Sequence, residues 1–232
     1  MTDDSSVESI YKRAILSIIP EGKIRDYDLI KPFTEICQFL AENPHLLSWR
    51  GRQKPDLRSV DSLKGLANKF VNGFKRSDFP REPNTVPDNM VSVVMEHAYG
   101  LSSAQCDDIK LTHQRSMCAE NCVGNLLERY IDSVMTDHGW TWCCGDFVRA
   151  IDFIHKTPDG WEALQIKNRD NSENSSSSAI RNNTTIQKWF RTYSKTGKTN
   201  WDKLPETMQN KGLSEDGFEM FVADYLLNNK PS

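Results

Sequence analysis

The sequence contains no apolar run approaching the roughly 20 residues that a membrane span needs. Its opening stretch, MTDDSSVES, is acidic and polar, so neither a secretory signal nor a transit peptide is expected, and a cytoplasmic protein is. There is no internal repeat. The six cysteines lack the paired knuckles of a zinc site: Cys118 and Cys122 are four apart, Cys143 and Cys144 are adjacent, and free thiols are expected. A net positive charge is also missing. The formal charge is -3, which excludes a uniformly basic, nonspecific binder of polyanions. "SKTGKTN" (194–200) is not a phosphate-binding loop, because position 192, where a glycine is needed, is Thr.

What is present is a chain of 232 residues, long enough for one large or two small domains, with an ordinary 38% hydrophobic and 26% charged composition. Charge is unevenly placed. Residues 47–81 carry nine Lys or Arg against three Asp, a net +6, and residues 165–203 carry eight against three acids, a net +5. Two basic segments in an acidic chain suit a positive cleft for a polyanion.

Apolar spacing predicts helices over Ser5–Ile19, Leu29–Ala41, Ser59–Phe74 and Asn89–Ala98. A short helix is expected from Ser102, and a long one over Ser116–Asp137. From Trp140 the pattern becomes strand-like: "WTWCCG", then "FVRAIDFIHK", the turn "TPDG" (157–160), and "WEALQIK". Thr184–Tyr193 and Gly217–Leu227 read as further helices. The expected class is α+β, with a helical region over 1–110 and a sheet-containing core over 111–232, or one continuous domain.

Three residues in this layout carry chemistry. Glu128 lies on the long helix. Asp152 is an acid inside an apolar strand, which is costly unless it is paired or holds a metal. Lys167 ends the next strand, and Gln165, two residues earlier, shares its face. A short turn between the strands brings these groups toward one sheet edge. An acid there would hold Mg²⁺, a hard cation that prefers oxygen ligands. The lysine would orient a water and offset charge on a pentavalent phosphorus. Glu128 would complete the metal shell, with Glu120 and Glu173 as rivals, and Gln165 would add a neutral oxygen.

The order of helix glutamate, strand Asp, hairpin and Lys-bearing strand resembles the PD-(D/E)XK nuclease superfamily. "GNLLERYI" (124–131) is similar to that superfamily's leading helix, and "AIDFI" with "LQIK" to its core hairpin, Gln165 standing where the second acid is usual. The polar segment 168–201 resembles that of the SinI group of type II restriction endonucleases. That resemblance implies a bacterial enzyme that needs Mg²⁺, cuts double-stranded DNA at GGWCC (W being A or T), and acts as a homodimer with no membrane partner. The side chains after Lys167 suit base reading. Arg169, Asp170, Glu173, Arg181, Asn182 and Asn183 carry the groups that match guanine, cytosine and adenine edges. Ser175, Thr185, Lys188 and Lys198 suit phosphate contacts, as do Arg50, Arg52 and Lys54 in the first basic segment. Two alternatives are a repair or junction-resolving nuclease on the same core and a non-catalytic DNA-binding protein.

Overall fold

A computed structural model describes residues 4–19, 28–81, 85–171 and 185–230. The chain runs α1 (Asp4–Leu16), α2 (Ile30–Glu42), α3 (Val60–Lys75), α4 (Asn89–Tyr99), α5 (Ser103–Met135), β1 (Trp140–Trp142), β2 (Phe153–Thr157), β3 (Gly160–Arg169), β4 (Ile186–Thr192) and α6 (Glu215–Asn228). The class is α+β, as expected. Four of the expected helices lie within a few residues of the predicted bounds. α1, α2 and α3 bury their apolar stripes; Leu63, Leu66, Ala67, Phe70 and Val71 do so in α3. Ser59 caps α3 by accepting from the Ser62 amide.

The sheet has the order β1-β2-β3-β4. β1, β2 and β3 form an antiparallel meander, with Trp142 opposite Phe153 and Phe153 opposite Leu164. β4 runs parallel to β3, pairing Gln165 with Lys188 and Lys167 with Phe190. Parallel pairing needs a crossover of about a dozen residues or more, and the connection 170–185 has that length. Side-chain alternation along β1 shows the two faces. Thr141 donates to Glu35 of α2 on one side, and Trp142 donates to Glu128 of α5 on the other. The sheet is therefore sandwiched between α2 and α5.

Three expectations need correction. Thr184–Tyr193 was expected to be helical, but Ile186–Thr192 is a strand. Ile186, Trp189, Phe190 and Thr192 are β-branched or aromatic, and the free edge of β3 is available to pair with them. The two helices expected at Ser102 and Ser116 are one helix of 33 residues, opened by a capping box between Ser102 and Gln105. The 110/111 division falls inside it. Finally, "FVRAID" is not strand: β2 starts at Phe153, and Asp152 is the residue before it.

The segment leading to Asp152 is held in an unusual shape. Gly145 (φ 100°), Asp146 (φ 60°) and Ala150 (φ 55°) all have left-handed backbone. For the two non-glycines this costs on the order of 1–2 kcal/mol each. Neighbouring chain holds it there: the Ser48 amide donates to the Phe147 carbonyl at 2.8 Å, and the Arg149 amide to the Leu46 carbonyl at 2.8 Å. Gly73 of α3 and Gly145 meet backbone to backbone. A Cβ on Gly73 would lie 2.6 Å from the Gly145 nitrogen, and one on Gly145 would lie 2.6 Å from the Lys69 carbonyl oxygen. This close approach seats the C-terminal turn of α3 beside the sheet edge.

Candidate active site

Asp152 is fixed by three bonds to strand neighbours. Its amide donates to the Leu164 carbonyl at 2.9 Å, and its carbonyl accepts from the Cys143 amide at 2.8 Å. Its Oδ2 accepts from the Ile166 amide at 2.7 Å. The carboxylate thus takes the place of a ladder carbonyl where the β2–β3 pairing gives out. Glu128 reaches the same spot from α5, its Oε2 accepting from Trp142 Nε1 at 2.9 Å.

Both acids line one cavity of about 120 Å³, together with Asn125, Asp146, Cys143 and Arg76. Burial pushes the Glu128 carboxyl up to about 8, and the charge of Asp152 adds to the rise; the Trp142 hydrogen bond and the cations Lys167 and Arg76 oppose it. Burial likewise pushes Asp152 up to about 6, opposed by the Ile166 amide and Lys167. Lys167, half-buried on β3, therefore acts electrostatically on both acids. Gln165 is 2% exposed, and among the described residues its Oε1 is a buried acceptor with no hydrogen-bond partner.

A divalent cation fits this donor set. Two carboxylates, each raised chiefly by burial, and the buried amide oxygen of Gln165 are all hard oxygen donors. Among the described residues, no three His, Cys, Asp or Glu side chains are placed to hold a metal ion together, here or elsewhere. A cation that usually keeps several waters would be held here by Glu128 and Asp152, the two acids that share the cavity.

The first basic segment reaches this cavity through α3. A larger depression of about 890 Å³ is lined by Ser48, Arg50, Lys69, Asn72 and Arg76, and it shares Gly73, Arg76, Gly145 and Asp146 with the acid-lined cavity. Arg76 sits at the junction. Its Nε bonds Asp78 Oδ1 at 2.9 Å; Asp78 is buried and is also bonded by Arg129. The structure thus brings Arg50 to the cleft. Arg52 and Lys54 are exposed and do not line it.

The second basic segment lies at the far end of β3 and along β4. Arg169 is exposed. Asp170 turns inward, accepting from the Ser194 amide at 2.8 Å, and this bond holds its carboxyl below the usual range. Thr185 and Lys198 are exposed, and Lys188 is half-buried beside Gln165. Residues 194–200 form a turn after a strand, not after a helix as expected. No long helix follows this turn; Trp201–Lys203 is a single 3₁₀ turn. Glu173, Ser175, Arg181, Asn182 and Asn183 lie outside the described residues. Of the rivals to Glu128, Glu120 is exposed on α5 and does not line the cleft.

Sequence reasoning missed Lys69, Asn72, Arg76 and Asp146. The pairing of Gly73 with Gly145 carries no sequence signal, because the two are 72 positions apart. The run "CCGD" (143–146), a glycine before an acid next to a predicted strand, was the available hint of a special turn.

Comparison with known proteins agrees with this geometry. The family described as SinI restriction endonuclease matches residues 17–228. The chain is 40% identical over 230 residues to the type II restriction enzyme Eco47I of Escherichia coli, covering 96% of this chain and 95% of that enzyme. It is also 40% identical over 225 residues to the type II restriction enzyme SinI of Salmonella infantis, covering 95% and 94%. A family match over residues 17–228 and two relatives covered almost end to end place this protein in the SinI restriction endonuclease family.

Proposed function

We propose that the chain is a type II restriction endonuclease that hydrolyses phosphodiester bonds of double-stranded DNA at a specific sequence, with Mg²⁺, in the bacterial cytoplasm. One observation carries this reading: Glu128 and Asp152 share a cavity that opens into the Arg50–Lys69–Arg76 depression, and the charge of Lys167 acts on both acids. Opposed carboxylates beside cations make a poor structural ion pair but a good centre for phosphoryl chemistry.

In this reading Glu128 and Asp152 hold the metal, with Gln165 Oε1 as a neutral third ligand. Bound Mg²⁺ would polarise a phosphoryl oxygen and acidify a coordinated water. Lys167 orients the attacking water and offsets charge that builds on the phosphoryl oxygens. Arg50, Lys69 and Arg76 hold the sugar-phosphate backbone along α3, with Arg52 and Lys54 as outer contacts. Arg169 and Asp170 begin the base-reading segment, continued by Glu173, Arg181, Asn182 and Asn183. Ser175, Thr185, Lys188 and Lys198 contact phosphates. GGWCC is the target we propose, in keeping with the family resemblance. A target with two-fold symmetry calls for two active sites related by the same axis, so the working form is a homodimer.

The test is digestion of a mixed-sequence plasmid with Mg²⁺ or with EDTA, followed by sequencing of the ends. Discrete fragments that need Mg²⁺ and end within GGWCC are expected. A Mg²⁺-dependent smear would shift the reading to a repair or junction nuclease. An intact plasmid that is retarded on a gel would mean a non-catalytic binder.

A further inference from the structure

Among the described residues, thirteen large apolar side chains are exposed, and nine of them fall within residues 85–117. They include Met90, Val91, Val94 and Tyr99 of α4, and Ile109 and Met117 of α5. α4 buries none of its residues, and over Ser103–Glu120 α5 buries only Cys106. The two helices form a hairpin joined by polar ties. Lys110 Nζ donates to Ser92 Oγ at 2.7 Å, and Gln114 Nε2 donates to the Thr85 carbonyl at 3.0 Å. An 11-residue helix is shorter than the roughly 12–15 residues below which an isolated helix is marginal in water. This hairpin needs an apolar surface against it.

Charge and size indicate what covers it. Residues 85–117 hold four acids (Asp88, Glu96, Asp107, Asp108) and two bases (Lys110, Arg115), a net -2, whereas 47–81 is +6. An acidic, apolar arm is a poor partner for DNA and a good one for protein. α4 with the exposed half of α5 presents eight large apolar side chains to solvent, and homodimer interfaces are more apolar than other protein surface. We infer that the α4–α5 hairpin is the subunit interface, occupied by the same hairpin of a second copy of this chain. The choice of a second copy rests in part on the nuclease reading.

A two-fold axis along α5 makes the contact self-complementary and closes it as a four-helix bundle. It also puts both copies of Glu128 at the same end of the bundle, facing one duplex. The helix then has two duties: its first half joins the subunits, and its second half carries the acid.

Sedimentation velocity of the free, full-length protein at micromolar concentration tests this. The variants are Val94→Asp on α4, Met117→Asp on α5, and Met220→Asp on α6 as an exposed apolar control. The wild type and Met220→Asp are expected at twice the chain mass. Val94→Asp and Met117→Asp are expected at the single-chain mass with unchanged helical circular dichroism, since neither residue is in the core. A monomeric wild type overturns the inference. So do dimeric Val94→Asp and Met117→Asp proteins, or a monomeric Met220→Asp protein, which would move the interface to α6. A dimer that cuts no DNA would sink the nuclease reading and leave this interface standing; a monomer that cuts would do the reverse.

Discussion

The cleft and the α4–α5 arm depart from the usual distribution of polarity in opposite directions. The cleft gathers two carboxylates where water is scarce. The arm displays valines, methionines and a tyrosine to solvent. Neither arrangement stabilises a lone chain: one raises acid pKa values, and the other leaves apolar surface wet. On the proposed reading each becomes favourable only when something is added, a cation and a phosphodiester in one case and a second subunit in the other. The two meet on one helix, which links assembly to chemistry.

Substitutions can break the comparison, and the largest effect is expected at the glycines. Gly145 in the cleft and Gly100 in the arm both have positive φ, 100° and 68°. A Cβ at Gly145 would meet the backbone of α3, whereas a Cβ at Gly100 has nothing within 4 Å. Gly145→Ala is expected to destabilise by roughly 3–5 kcal/mol, in the range of backbone clashes that cannot relax. Gly100→Ala is expected to cost only about 1 kcal/mol of backbone strain. Urea unfolding measures both, and equal costs would show that the α3 contact is not tight.

A smaller difference is expected from truncating the apolar surface itself. Leu126 is 1% exposed on α5 and Val94 is 58% exposed on α4. Leu126→Ala is expected to cost about 2–5 kcal/mol. Val94→Ala should change unfolding of the single chain by less than about 0.5 kcal/mol. Equilibrium denaturation in a Met117→Asp background, where the interface is absent, isolates these values.

The smallest effect is one of pH. Glu128 is raised to about 8 in the folded chain from an ordinary 4.5. Between these values the folded state binds more protons than the unfolded state, so stability falls as pH rises through that window. In EDTA, Glu128→Gln should therefore melt above the wild type at about pH 9 and close to it at about pH 4. Mg²⁺ should narrow the gap at high pH by giving the ionised acid a partner. Scanning fluorimetry checks this, and parallel melting curves across pH would mean that Glu128 is solvated.

Much of this was legible in the sequence, and the misses have a common cause. The helices α1 to α3 declared themselves by burying one stripe each. Asp152 stood out because an acid among apolar residues is costly and so needs a reason, and the structure brings it to one cavity with Glu128. Ile186–Thr192 was misread because Ile186, Trp189 and Phe190 also recur at helical spacing, and a seven-residue run cannot separate the two periods. What decided its state was the edge of β3, which local pattern does not show. The first half of α5 was read as a separate short helix because a helix with no core to face lacks the stripe that would join it to the second half. Arg76 and Lys69 could not be assigned to the site because the Gly73–Gly145 contact that places them is long-range.

The central claim is that Glu128, Asp152 and Lys167 form the hydrolytic centre. It is tested most directly by single-turnover cleavage of a duplex carrying the target, using the wild type, Asp152→Ala and Lys167→Ala, with affinity measured in parallel without Mg²⁺. Losses in cleavage of at least about 10²–10³-fold, the scale of removing one group that stabilises transition-state charge, are predicted, with binding retained within a few-fold. Cleavage at wild-type rates in either variant would contradict the account and place the chemistry elsewhere on the chain.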